Sequence, residues 1–335
     1  MEALESRKIS LQKLLAPVAL IILYVFFSIF GNNFFSTDML KNILESSYYI
    51  GFMAFGVTFV IITGGIDLSI GTVMMCSALL GAYTFKALNW PLAAALLATV
   101  FVGTLFGFIN GLLIAKLKLP PFIATLGTMM MSQGFGSILT KVQSQTWPTA
   151  TAEIGGWFKK VFIRYSFNLG DLKLNGFPVG ALWLLALFAV AALLLHKTKF
   201  GRYTFAIGSN EEAARLSGIN VDKWKVLVYT ACGAFSGLAG IFYAAAYTTI
   251  TPGTGNGQEL NAIAGVVIGG TSMSGGSGTM VGTLIGVFIM SVLKNGLSAC
   301  GLQAPWQTFF TGAVVIGAVL LDIQRTRAAN RVKKN

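Results

Sequence analysis

Charge is scarce in this sequence. Asp, Glu, Lys and Arg make up 11% of its 335 residues and hydrophobic side chains 55%, against roughly 25% charged residues in a typical soluble domain. A water-soluble globular fold is therefore excluded. Histidine occurs once, at His196, and the three cysteines, Cys76, Cys232 and Cys300, form no CxxC pair and no close Cys/His set. Neither a disulfide framework nor a metal site is indicated. There is no GxxxxGK[ST] phosphate loop, so ATP binding of the familiar kind is not expected of this chain. The apolar runs also lack a succession of Asp, Glu, Lys or Arg of the sort that relays protons in pumps. With no nucleophile beside a base, no catalytic residue is expected.

What the chain has is apolar length. Its mean hydropathy is +0.72, and apolar runs recur at a size suited to a hydrocarbon core ~30 Å thick. They are Leu14 to Phe30, Tyr49 to Thr63, Leu68 to Phe85, Pro91 to Ala115, Pro121 to Leu139, Val179 to Leu195, Val226 to Tyr247, Ala262 to Gly270, Met280 to Leu293 and Gln307 to Leu321. The expected fold is an all-α polytopic membrane protein of about ten transmembrane helices, a single transmembrane domain over residues 1–335. The first run follows Arg7, Lys8 and Lys13 without a small-residue cleavage site, so an uncleaved helix is expected there.

A net charge of +12 raises the question of nucleic acid, but the basic residues gather at the ends of the apolar runs. Segments 1–13, 116–119, 196–225 and 322–335 carry 3, 2, 6 and 5 Lys/Arg, which is 16 of the 24. The positive-inside rule places these segments, and with them both termini, in the cytoplasm. The outer segment Thr140 to Pro178 runs against the rule, with Lys141, Lys159, Lys160, Arg164 and Lys173. His196, beside Lys197 at a helix end, reads as an interfacial side chain reaching for the headgroups.

Glycine is organised within the runs. Gly103, Gly107 and Gly111, and likewise Gly278, Gly282 and Gly286, recur every four residues, placing small residues on one helix face where backbones approach closely; helix packing is the reading, within one bundle or between two copies. Two other stretches break the helices: "VIITGGIDLSIGT" (60–72) and "VVIGGTSMSGGSGT" (266–279). Irregular backbone at membrane depth is tolerated only where protein buries it or where it lines a water-filled cavity, so both breaks are candidate path elements. Asp67 is the sharpest residue of the first. Either Asp67 or Ser69 caps the next helix, or Asp67 gates the path. Glu259 and Asn261 pose the same choice at the start of the eighth run.

Between two apolar runs lies a polar island, "GSNEEAARLSGI" (208–219). Ser209 or Asn210 can cap a helix whose first turn carries Glu211 and Glu212, and Gly218 ends it. The helix is too short to stand alone in water. It reads either as an interfacial loop helix or as a lever, with small alanines exposed, that docks into another protein.

Four stretches taken together, "TGGIDLSIG" (63–71), "PPFIATLGTM" (120–129), "TKFGRYTFAIGSNEEAARLSGINV" (198–221) and "ELNAIAGVVIGGTSMSGGSGTMVGTLIG" (259–286), are similar to the membrane permease of bacterial ABC importers for simple sugars, the ribose, galactose, xylose and arabinose group. The resemblance runs from about Asn42 to Asp322 with the motifs in the same order. It implies two copies, or two related permeases, in the bacterial cytoplasmic membrane, paired with a cytoplasmic ATPase that binds ATP-Mg and supplied by an external sugar-binding protein; this chain would bind no cofactor itself. It further implies that Gly208, Ser209, Asn210, Glu211, Glu212, Ala213, Ala214, Arg215, Leu216, Ser217, Gly218 and Ile219, within a cytoplasmic loop of about 197–225, couple to the ATPase. Asp67, Ser69, Glu259, Asn261, Thr271 and Ser272 are the path positions it favours. Residues 144–167 of the outer loop (140–178) are expected to dock the binding protein or to lie on the headgroups. The rivals are a secondary or facilitative sugar transporter, which needs no ATPase, and a membrane-embedded scaffold.

Overall fold

A chain surrounded by hydrocarbon must satisfy its backbone internally, and helices do this within each segment. The computed structural model describes residues 2–149, 151–152, 154–169 and 172–332, and these are mostly helical. In order they form α1 (Glu2–Phe30), α2 (Thr37–Ile62), α3 (Ile70–Lys86), α4 (Leu92–Gly111), which runs on through a π-helical turn Leu112–Lys116, α5 (Pro121–Leu139), α6 (Trp157–Phe162), α7 (Val179–Lys197), α8 (Lys199–Ser209), α9 (Glu211–Leu216), α10 (Val221–Tyr247), α11 (Gln258–Ile268), α12 (Met280–Ala299) and α13 (Ala304–Val332). Among the described residues seven helices are long and apolar enough to cross a membrane: α2, α4 with its π turn, α5, α7, α10, α12 and α13 as far as Gln324. Leu15–Phe30 of α1, α3 and α11 are apolar but shorter. The side chains of Arg7, Lys8, Lys13, Lys173, Arg325, Arg327 and Arg331, and Lys333 and Lys334 altogether, which entered the reading of orientation, lie outside the described residues.

From Ser46 to Ile62 every residue of α2 is buried, as only an interior helix can be, and its spanning window is 94% buried. Ser36 caps it, accepting from Met39 N at 3.2 Å. Helices α10, α11, α12 and α7 surround it, whereas the windows of α7 and α13 are only 22% and 12% buried and form the bundle's outer surface.

The tightest crossing joins α4 to α10. A Cβ placed on Gly103 would stand 2.6 Å from Gly237 N, one on Gly107 2.8 Å from Gly233 Cα, and one on Gly111 2.7 Å from Val226 Cα. Helices α11 and α12 meet in the same way, with Gly286 against Gly265 and Gly282 against Gly269. Gly278, just before α12, abuts Thr271 and Ile62. All six glycines thus pack inside one bundle.

The outer segment is folded onto the helices rather than extended. β1 (Gln145–Thr146) pairs antiparallel with β4 (Thr249–Ile250), and β2 (Tyr165–Leu169) with β3 (Leu172–Phe177). Trp147 is fully buried, stacked on Phe158 of α6 at 4.9 Å, and its Nε1 donates to Ala78 O at 3.0 Å. Arg164 pairs with Glu45 of α2. Within 140–178, Ala150, Glu153, Gly170 and Asp171 lie outside the described residues.

Candidate functional site

The first break begins where Gly64 turns the chain at φ +76°, a conformation glycine adopts without penalty. Residues 65–69 are then irregular before α3 starts at Ile70. Asp67 and Ser69 are each 1% exposed. The Asp67 Oδ1 accepts from Ser69 N at 2.9 Å and from Ser69 Oγ at 2.6 Å. Asn110 of α4 donates through Nδ2 to Ser69 Oγ at 2.9 Å and, at 3.5 Å, to Asp67, while Thr128 of α5 donates to Asn110 Oδ1 at 2.6 Å. Tyr229 of α10 donates to Ile66 O at 3.2 Å. Ser69 occupies the cap position of α3 without a side-chain cap bond. Asp67 therefore anchors a buried polar chain that ties the break to α4 and α5.

That geometry separates two substitutions. Asp67→Ala leaves the Ser69 donors without an acceptor, at a cost of about 1–3 kcal/mol for each buried group stranded, whereas Asp67→Asn keeps an oxygen in place. Thermal unfolding in detergent is expected to show the alanine variant clearly destabilised and the asparagine variant near the parent; equal losses would place the energy in the carboxylate's charge.

The second break, Gly269 to Thr279, folds back on the first. Gly276 N donates to Ile62 O at 2.8 Å. A Cβ on Gly275 would stand 2.9 Å from Gly64 N and 3.0 Å from Gly208 O, and one on Gly276 3.1 Å from Ser209 Cα. The end of α2, the second break and the end of α8 thus touch backbone to backbone. Thr271 Oγ1 is buried without a partner among the described residues. Ser272 Oγ donates to Asp322 of α13 at 3.4 Å, and Met273 N to the same carboxylate oxygen at 3.0 Å.

The starts of α3 and α11 also meet. A Cβ on Gly71 would lie 2.6 Å from Gly255 O and 2.9 Å from Glu259 N. Glu259 Oε1 accepts from Gly257 N at 2.9 Å, and its buried Oε2 has no partner among the described residues. Asn261 borders a cavity of about 290 Å³. Helix α11, 11 residues long, spans about 16 Å at 1.5 Å per residue, and joins the level of Glu259 to the level of Gly276. The six path candidates consequently fall into three places: Asp67 with Ser69, Glu259 with Asn261, and Thr271 with Ser272.

The polar island forms α9. Asn210 Oδ1 accepts from Ala213 N at 2.9 Å, so Asn210 is the cap; Ser209 ends α8 instead. Gly218 closes the helix at φ +83°. The expected exposure of its alanines holds for Ala213 and not for Ala214, which is 5% exposed and packs with Ile207 and Val221. Lys225 pairs with Glu211 at 2.6 Å and Arg215 with Asp222 at 3.4 Å. Leu216 points outward, 85% exposed. Gly208, immediately before this unit, packs against Ile62 O and Gly276 N.

Sequence reasoning missed Asn110, Thr128 and Asp322. Asn110 precedes Gly111 but faces away from α10, toward Ser69 and Thr128, and a lone amide inside an apolar run is the signal that finds it.

A bundle of apolar helices interrupted by two glycine breaks, in which the starts of α3 and α11 meet and the end of α8, just before the short polar helix, touches Ile62 and Gly276, is the architecture of a membrane permease. The chain belongs to the family described as branched-chain amino acid transport system / permease component, whose model it matches over residues 39–319. It is 39% identical over 309 residues to the ribose import permease protein RbsC of Escherichia coli K12, covering 91% of this chain and 92% of that protein. To RbsC of Bacillus subtilis 168 it is 40% identical over 317 residues, 94% of each chain. To the fructose import permease protein FrcC of Rhizobium meliloti it is 34% identical over 315 residues, 92% and 85%. No solved structure matches it. These relatives are transport subunits rather than enzymes, and the chain is a multi-pass protein of the inner membrane.

Proposed function

We propose that this chain is the transmembrane permease subunit of a binding-protein-dependent ABC importer and forms the path for a monosaccharide, ribose first and galactose or glucose next. Similarity to two ribose import permeases along more than nine-tenths of the chain carries the reading. ATP is hydrolysed in a separate cytoplasmic subunit, an external binding protein delivers the sugar, and a second permease copy or a related permease completes the path; the chain itself holds no cofactor. Residues 1–335 act as one transmembrane unit. The seven long helices together with Leu15–Phe30, α3 and α11 make ten apolar segments, an even number that leaves both termini on one side, the cytoplasmic one.

In this reading α9 takes up nucleotide-driven closure, and Gly208 passes it to Gly276 and Ile62 through backbone contact. The second break and the start of α11 then shift together, with Asp67, Ser69, Glu259, Asn261, Thr271 and Ser272 beside the path. The outer segment receives the binding protein on α6, where Lys159 and Lys160 stand.

The test is ATP hydrolysis by the permease reconstituted with its ATPase, with and without binding proteins loaded with ribose, galactose or glucose. Stimulation by one loaded protein is expected and names the sugar. Sugar uptake in vesicles lacking any ATPase would establish a facilitative or secondary transporter instead.

A further inference from the structure

Lysine in a membrane-crossing helix is costly and marks function by default, and Lys294 lies within α12, five residues before its end at Ala299. Among the described residues no carboxylate pairs with it. Its ammonium donates to the Tyr49 and Tyr247 hydroxyls and stands 5.3 and 5.9 Å from the centres of those two rings. The rings stabilise the charge without cancelling it. Two of its three N–H groups are thereby engaged, which leaves one for a solute.

Lys294 borders the cavity of about 290 Å³ that Asn256, Gln258, Asn261, Gln307 and Thr311 also line. This is close to the roughly 300 Å³ at which small-molecule sites begin. Gln258 Oε1 is buried there with no partner among the described residues. Amides and hydroxyls donate and accept side by side, as the hydroxyls of a polyol do, and no Asp or Glu lines the cavity among the described residues. Lys294 is near the end of α12 and Ala304 and Gln307 stand at the start of α13, so the cavity lies at the α12–α13 turn, the opposite end of α12 from the second break that touches α8.

We infer that this cavity is a solute-contact site for a neutral polyhydroxylated molecule, with Lys294, Asn261 and Gln307 as its hydrogen-bonding groups. The inference rests on the importer reading and adds to it the place where sugar first meets the permease.

The experiment uses the full complex in vesicles with its ATPase and binding protein, and measures uptake of ribose, galactose and glucose alongside ATP hydrolysis. Lys294→Met, Asn261→Leu and Gln307→Leu are each expected to lower uptake at least tenfold while the loaded binding protein still stimulates ATP hydrolysis, and Lys294→Arg to retain more uptake than the methionine variant. Uptake within twofold of the parent in all three overturns the site, as does loss of uptake accompanied by loss of stimulation. Because a variant can fail to fold, Gln307→Cys is also made in a Cys300→Ser background and treated from the binding-protein side with a membrane-impermeant thiol reagent. Blocked uptake supports the site and unchanged uptake overturns it. A parent complex with no ATP-driven uptake of any of the three sugars overturns the importer reading, and the sugar assignment with it.

Discussion

Gly107→Leu is expected to abolish folded protein, while Gly127→Leu, a change of the same size on α5, leaves it intact. The difference lies in what an added side chain meets. At Gly107 the nearest atoms are the Tyr229 carbonyl and the backbone of Gly233, with Gly233 Cα 2.8 Å and Gly233 N 2.9 Å from an added Cβ; at Gly127 nothing lies within 4 Å. Overpacking in a core costs about 1–3 kcal/mol where side chains can yield. Here both surfaces are backbone, so the helices must separate along their whole contact. Gly103 and Gly111 sit one turn either side on the same face and lose their contacts together. Separation would also pull Asn110 from Ser69 and Thr128, stranding buried polar groups at about 1–3 kcal/mol each. The total exceeds about 3 kcal/mol, a large part of the 5–15 kcal/mol that holds a typical domain together. The yield of monodisperse protein in mild detergent measures it. Normal yield of Gly107→Leu would mean that the α4–α10 contact is looser than its backbone distances indicate.

Apolar runs were the legible part of the fold, because the cost of leaving hydrocarbon is written residue by residue. Pro121 to Leu139 matches α5 at both ends, and the run from Met280 begins where α12 does. Helix ends follow other rules. The run read from Val226 starts instead at Val221, because Asn220 caps α10 by accepting from Lys223 N at 3.0 Å and a helix leaving the membrane can carry Asp222, Lys223 and Lys225 in its first turns. Helix α8 was hidden for a related reason: Lys199, Arg202 and Ser209 interrupt its apolar positions, and its buried residues, Gly201, Thr204 and Ile207, are not a run of strong hydrophobes.

The glycine breaks were legible as breaks, and their partners were not. Asp67 attracts notice as a lone carboxylate, and its nearest donors are the Ser69 N–H and hydroxyl two residues on, but the chain that continues from Ser69 runs to Asn110 of α4 and Thr128 of α5, about forty to sixty residues further on. Lys294 and Asp322 each look like single polar residues near the end of an apolar run. Only the packing of α12 beside α2, and of α13 beside α11, puts one against Tyr49 and the other against Met273.

Leu216→Asp is expected to cut sugar uptake tenfold or more without changing the stability of the permease. Helix α9 has six residues and is held from behind: Ala214 is buried against Ile207 and Val221, and Glu211 and Arg215 pair with Lys225 and Asp222. Leu216 takes part in none of this. At 85% exposed it gives the chain's own fold almost nothing, and surface substitutions of that kind usually stay within ±0.5 kcal/mol. Seated in a groove of the ATPase, the same side chain would contribute about 1.5–3 kcal/mol by burial, and an aspartate in its place would add the cost of desolvating a carboxylate. Each 1.4 kcal/mol is a factor of ten in an equilibrium, so the coupled complex falls by at least that factor. The reconstituted complex is expected to lose both uptake and binding-protein-stimulated ATP hydrolysis, with unchanged thermal unfolding of the permease alone. Normal uptake in Leu216→Asp would mean that closure of the ATPase reaches the glycine breaks through some surface other than α9.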